Sequence, residues 1–186
     1  MRENPRKFFF EQFGAHIISA DTIVHDLLDH NARLQKQVIR LFGEDVRDKN
    51  NTLNRGEILK RLTRQKSKYP VYNAIIHPYV LREIKWHLKK SKAKIIIADI
   101  PLLYEVRIQN LFDYIVVVHS PEYLQIQRKQ KQGWSKNQVE FMISKQQSSK
   151  SKVKRADFCI RNNGSRFKLK REVENVWKKL HQKRKP

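Results

Sequence analysis

The sequence predicts an α/β fold, a parallel sheet with flanking helices and a helical segment inserted into it, and three observations carry that prediction. The first is Ile95-Ile96-Ile97-Ala98, an apolar run without polar alternation. Such a run reads as a strand covered on both faces, as in parallel sheets. Tyr114-Ile115-Val116-Val117-Val118 is a second one. The second observation is a carboxylate at the end of each of two strands. Asp99 closes the first run and Pro101 forbids the ladder to continue. The acid therefore emerges at the carboxyl end of a strand, where open α/β sheets hold their ligands. An Asp in that place also serves simply to cap the following turn. Asp21 stands just past His16-Ile17-Ile18-Ser19 in the same way. The third observation is the stretch from 22 to 92, which is mostly helical in pattern and too long for an ordinary crossover between parallel strands.

The elements follow in order. Residues 4 to 13 predict a helix, with Asn4 as N-cap, Pro5 at the first helical position and Phe9, Phe10 and Phe13 as its apolar face. Gly14 suits its end. After the strand 16–19, Val24, Leu27 and Leu28 fall at helical spacing, as do Leu34, Val38, Leu41 and Phe42, where Gly43 stops the run. Asp48-Lys49-Asn50-Asn51 is a turn, and Ile58, Leu59 and Leu62 resume a helix that Tyr69-Pro70 interrupts. His77-Pro78 opens a further helix carrying Val80, Leu81, Ile84 and Leu88. Beyond the strand 114–118, helices are expected at about 122–131 and 136–147, broken by Gly133-Trp134-Ser135. A Ser and Lys run then leads to a last strand, Asp157-Phe158-Cys159-Ile160. Asn162-Asn163-Gly164 turns into a C-terminal amphipathic helix with Leu169, Val173, Val176 and Leu180.

Composition bounds the function. With 186 residues the chain is long enough for one domain with a real core, or for a core domain carrying an insertion. No apolar run approaches the ~20 residues of a membrane-spanning helix, and the basic start, with Glu3 and Glu11 around a Phe cluster, lacks the pattern of a secretory signal. The single Cys159 has no internal partner; between Phe158 and Ile160 it reads as a buried structural thiol, and the expected compartment is the cytoplasm. The balance of 40 Lys+Arg against 18 Asp+Glu, formally +22, favours anionic partners: nucleotides, phosphorylated cofactors, nucleic acid or acidic membrane surfaces. The basic residues are scattered through 85–94, 145–155 and 166–185, where they fill solvated positions. A weak, non-specific nucleic-acid affinity follows from the charge alone.

One ordered set of motifs goes further. Phe13-Gly14-Ala15, Ile18-Ser19-Ala20-Asp21, Leu53-Asn54-Arg55, His77-Pro78, Asp99-Ile100-Pro101-Leu102-Leu103-Tyr104-Glu105, and Ala156-Asp157 with Asn163-Gly164 occur in that order. This series resembles the dephospho-CoA kinases, over residues 8 to 182 or so, and the 99–105 segment is its most specific part. The resemblance implies a P-loop-kinase-like fold: residues 1–21 with 93–186 as the α/β core, 22–92 as a helical substrate-binding insertion, and a lid at about 128–150. It implies transfer of the γ-phosphate of ATP, with Mg²⁺, to the ribose 3′-hydroxyl of dephospho-CoA, the last step of coenzyme A synthesis. In that scheme Asp21 is the general base and Asp99 holds the metal, directly or through water. Arg55, His77, Pro78, Tyr104 and Glu105 belong to the substrate side, and Arg128 and Lys131 to the lid.

The sequence also departs from the family pattern. A phosphate-binding Gly-x-x-x-x-Gly-Lys-Ser/Thr loop needs a Gly-Lys step, and the five glycines here precede Ala15, Glu44, Glu57, Trp134 and Ser165. Glu3 stands about where the loop's Lys belongs. The family's first strand, which lies between the strand ending at Asp99 and the strand 114–118, is not recognised either. In the lid, Lys131 or Gln132 and Met142 fall where arginines are expected. Three readings stand side by side: an N-terminally truncated dephospho-CoA kinase, an inactive relative that binds CoA-type ligands, and a basic nucleic-acid-binding protein on the same scaffold.

Overall fold

A computed structural model describes residues 5–183. The chain divides into two compact units, residues 1–17 with 93–186, and residues 18–92. Among the described residues no helix is long and apolar enough to cross a membrane.

The first unit begins with α1 (Pro5–Gln12), which opens on the proline as predicted; Asn4, its expected cap, lies outside the described residues. The helix ends in a backbone lock: Ala15 N donates to Phe10 O at 3.0 Å, and Gly14 N to Glu11 O at 2.9 Å. Gly14 takes φ +94°, the left-handed value this lock requires. Ala15 and Phe10 both end up in the core, so the lock is apolar as well as hydrogen-bonded. The strands are β1 (His16–Ser19), β2 (Ile96–Asp99), β3 (Val116–His119) and β4 (Phe158–Arg161). β3 and β4 pair in parallel, Val116 opposite Phe158 through to His119 opposite Arg161. β1 pairs with β2, and His16 N donates to Ile95 O at 3.0 Å. The closing helix α9 (Arg166–Gln182) packs along α1. Phe9, Phe10, Ile160, Leu169, Val173 and Val176 form the core between them, with Ile95, Ile97, Val116 and Val118 packed against it. Trp177 stacks on Phe13 at 6.0 Å between ring centres.

The fold is mixed α/β with parallel strands, as predicted, but the sheet is not continuous. The described strands make two separate two-stranded sheets, β1 with β2 and β3 with β4. β2 and β3 are half-buried along their whole length, whereas the sequence predicts strands covered on both faces. Among the described residues each has a single ladder partner, β1 for β2 and β4 for β3. Cys159 departs from expectation too. Alternation along β4 turns Ile160 fully into the core and Cys159 out to solvent, so it is not a buried thiol. Between β3 and β4 run α6 (Glu122–Gln130), α7 (Lys136–Ser144) and α8 (Ser149–Lys154). α7 is shorter than the predicted 136–147, and the Ser and Lys run forms a helix of its own, capped by Ser148 on Ser151 N.

The second unit is helical: α2 (Ala20–His30), α3 (Ala32–Phe42), α4 (Arg55–Arg64) and α5 (Lys68–Lys90), with a 3₁₀ turn at Glu44–Val46. Side-chain caps open three of them, Ser19 for α2, Asn31 for α3 and Asn54 for α4. Leu28, Leu34, Val38, Val46, Ile58 and Ile84 fill its core. α5 corrects the predicted breaks at Tyr69-Pro70 and His77-Pro78. Pro70 falls in the first turn of α5, where the backbone N–H that proline lacks would have no helical partner. Pro78 lies inside the helix and forfeits one backbone bond. Ile76 and Ile84 remain buried on either side of it, with α2 and α3 packed along the helix, so tertiary packing outweighs the local stop signal.

Candidate active site

The carboxyl end of β2 carries Asp99, the last residue of the strand. Its carboxylate meets Lys7 Nζ of α1 at 2.9 Å, with both side chains about three-quarters buried. Lys7 sits one turn before Phe10, and because Phe10 is anchored in the core, the lysine is delivered to the strand end. Sequence reasoning missed Lys7, since nothing in a basic helix start distinguishes one lysine from its neighbours.

The turn after Asp99 faces inward. Tyr104 is 4% exposed, and the Arg155 guanidinium lies 4.2 Å from its ring centre. Burial raises the Tyr104 phenol above its ordinary value, and Arg155 opposes the shift. Glu105 Oε1 accepts from Gln147 N at 2.6 Å and pairs with Lys152 Nζ at 3.0 Å. Tyr104 OH and Glu105 Oε2 are buried without a hydrogen-bond partner. Both residues, assigned to the substrate side by the resemblance, are thus packed against α8 and the linker before it.

The expected lid is a helix pair, α6 packed on α7, joined through Gly133 at φ +89°. Ser135 and Gln138 form a reciprocal cap on α7, and Lys129 lies 4.7 Å over the Trp134 ring. Arg128 is half-buried and donates to Asn162 O at 2.8 Å, in the loop after β4. Lys131, at the end of α6, is exposed.

In the second unit, Asp21 is exposed in the first turn of α2. The cap of that helix is Ser19, whose Oγ accepts from Thr22 N at 3.3 Å, so capping is not the task of Asp21. Arg55, the first residue of α4, places one guanidinium nitrogen 3.1 and 3.0 Å from the two oxygens of Asp29. His77 is half-buried within α5, and burial lowers its imidazole below the ordinary value, which keeps the ring neutral at physiological pH. Pro78 beside it is exposed.

Among the described residues no group of three His, Cys, Asp or Glu side chains is placed to hold a metal ion. Asp99 alone fits Mg²⁺ only as one carboxylate beside water and phosphate ligands, the usual way this ion is bound with nucleotides. Lys7 is then its competitor.

The charge takes no site-like form. Lys89, Lys90, Lys150, Lys154, Lys170, Lys178 and Lys179 are exposed on three separate helices, α5, α8 and α9. Binding of DNA or RNA is expected to be weak, indifferent to sequence and lost steeply with salt. Filter binding across an ionic-strength series checks this; tight, sequence-selective binding that survives 200 mM salt, about the range in which such contacts normally collapse, would contradict it.

Comparison with known proteins adds a common direction. A dephospho-CoA kinase family model matches residues 7–167. A dephospho-CoA kinase of Corynebacterium diphtheriae is 31% identical over 171 residues, 90% of this chain and 86% of the relative. One from Carboxydothermus hydrogenoformans is 32% identical over 173 residues, 91% of this chain and 84% of the relative. Among solved structures, the Thermus thermophilus protein TT1252 superposes with a TM-score of 0.71 at 21% identity, covering 93% of this chain and 88% of that one. The dephospho-CoA kinase from Campylobacter jejuni superposes at 0.59 with 24% identity, over 95% and 90%.

Proposed function

Since the chain belongs to the dephospho-CoA kinase family, we propose that it moves the γ-phosphate of ATP to the ribose 3′-hydroxyl of dephospho-CoA, yielding coenzyme A and ADP in the cytoplasm. The observation that carries this reading is the family match over residues 7–167, which spans both strand-end carboxylates, Asp21 and Asp99. Phosphoryl transfer asks a protein mainly for positioning and for neutralisation of spread negative charge. Asp21, exposed in the first turn of α2, takes the proton of the 3′-hydroxyl as that oxygen bonds to the γ-phosphorus and the bond to ADP breaks. Asp99 would hold Mg²⁺ or its water, and the ion would supply neutralisation of the phosphate charge there. Arg55 and the neutral His77 contact dephospho-CoA, with Arg55 passing from Asp29 to a phosphate. Lys131 and Arg128 meet the transferred group, Arg128 after leaving Asn162 O.

A second reading, a relative that holds CoA-type ligands without transferring phosphate, is favoured by one specific feature: this chain has no Gly-Lys step. A nest of backbone amides with a lysine is the usual cradle for the β- and γ-phosphates. For the 186-residue chain, calorimetric titration with Mg-ATP is therefore expected to show no saturation below about millimolar nucleotide, the regime of unassisted charge attraction. Dephospho-CoA, whose proposed contacts lie in the second unit, is expected to bind measurably, and less well in Arg55→Ala. A micromolar ATP affinity abolished by Asp99→Ala would show that another element does the loop's work and would restore the first reading for this chain. No heat with dephospho-CoA would remove both.

A further inference from the structure

Resting on the role given above to Asp99, we propose that Lys152 is a positioning residue for the reaction: its ammonium ties the turn that follows Asp99 to the segment leading out of the helix pair, so that α7 and the carboxyl end of β2 are held as one body.

The sequence places Lys152 in a run of solvated bases, and the structure separates it from them. Lys150 and Lys154 are exposed, while the Lys152 side chain is only 12% exposed and that of its partner Glu105 17%. Three acceptors surround the ammonium: Pro101 O at 3.1 Å, Gln146 Oε1 at 3.0 Å and Glu105 Oε1 at 3.0 Å. An ammonium has three protons to donate, so the set is complete. Two of these acceptors belong to the turn after Asp99 and the third to the linker between α7 and α8.

The linker is held a second time. Glu105 Oε1 also accepts from Gln147 N at 2.6 Å, and Arg155, three residues beyond Lys152 at the C-terminal cap of α8, donates to Gln147 Oε1 at 3.0 Å. The same guanidinium covers the buried Tyr104 ring. Fixing a lysine and an arginine side chain costs rotamer freedom that their contacts must offset. A charge buried to this degree is stabilised only when it is paired and hydrogen-bonded, and the Lys152 ammonium meets that condition by joining two acceptors of the turn to one of the linker. That turn begins two residues after Asp99, so any displacement of the α7 root reaches the carboxylate through a single short peptide segment.

A merely structural pair would lower stability without changing the surroundings of Asp99, and this difference is the test. In the full chain, the ¹³C carboxyl resonance of Asp99, assigned through Asp99→Asn, is followed in Lys152→Met and in Lys150→Met, which removes the same charge from an exposed position two residues away. Amide exchange is measured on the same samples. In Lys152→Met the Asp99 resonance moves, and amides between 102 and 108 exchange about tenfold faster, the signature of a local opening. Amides of Val173 and Val176 keep their protection, and Lys150→Met changes neither readout. An unmoved Asp99 resonance in Lys152→Met, or an equal shift in Lys150→Met, overturns the proposal. Should Lys152→Met expose the core amides, Glu105→Gln, of the same size and still an acceptor, carries the same expectation at smaller amplitude, and an unmoved resonance there overturns it equally. Because neither readout involves turnover, failure of the kinase reading leaves the outcome independent.

Discussion

Asp21→Asn is expected to lower turnover by ~10²–10⁴-fold with little change in dephospho-CoA affinity, the range that general-base catalysis contributes. The measurement uses this chain extended upstream by a strand and a Gly-x-x-x-x-Gly-Lys-Ser loop, so that ATP binding is not the limiting defect. The substitution is clean for a structural reason. Ser19 caps α2 through Thr22 N, so Asn at 21 neither removes nor adds the cap, and Asp21 is exposed, so no packing is disturbed. Asn keeps the size and a carbonyl acceptor and loses only the ability to take a proton. Asp99→Asn should differ in kind: its loss is partly recovered by raising Mg²⁺, since the proposed task of Asp99 is to hold the ion or its water. A variant with Asn at 21 and near-full turnover would end the general-base assignment, and the chemistry would have to be rebuilt around Asp99.

The second large effect concerns stability. Phe10→Ala is expected to cost about 3–5 kcal/mol, the usual penalty for truncating a buried aromatic. Phe10 is 4% exposed, lies 6.4 Å from Trp177 between ring centres, and carries the carbonyl that receives Ala15 N in the lock ending α1. Denaturant unfolding followed by tryptophan fluorescence measures the loss. Because Phe10 also fixes the face from which Lys7 reaches Asp99, the partially folded variant should lose that ion pair before it loses β3 and β4. A shift below about 1 kcal/mol, the scale of a surface change, would mean that α1 is not anchored as described.

How much of this was legible beforehand depends on whether the signal was local. The positions of Asp21 and Asp99 in the fold could be read, because one short strand stops two residues before the first, the other ends in the second, and Pro101 stops its ladder. The lock at Gly14 could be read because only a left-handed residue ends a helix that way. Lys7 and Lys152 could not, since each resembles every other lysine in a chain with formal charge +22; only burial against a distant carboxylate sets them apart. The break expected at His77-Pro78 was a true local preference, overridden by apolar packing along both sides of α5. Cys159 was misjudged from its apolar neighbours, because in a strand the neighbours point the other way. Tyr104 and Glu105 were assigned to the substrate side, while their contacts could not be read, because the partners Arg155 and Lys152 lie at the end of and within a short helix that the sequence did not announce.

The division of the strands into two pairs has a consequence for how copies of the chain behave together. Among the described residues β2 and β3, rich in Ile and Val, each have a ladder on one edge only, and an edge without a ladder is a template on which another molecule's strand can grow. Few of the usual guards are present: no proline or bulge lies inside either run. What keeps copies apart is mutual repulsion among molecules of formal charge +22. That repulsion reaches ~10 Å at 0.1 M ionic strength and only ~3 Å at 1 M, while the attraction between apolar edges is not screened. The colloidal fate of the chain is thereby handed to the surrounding electrolyte: it is expected to stay dispersed in dilute buffer and to associate strand by strand in concentrated salt.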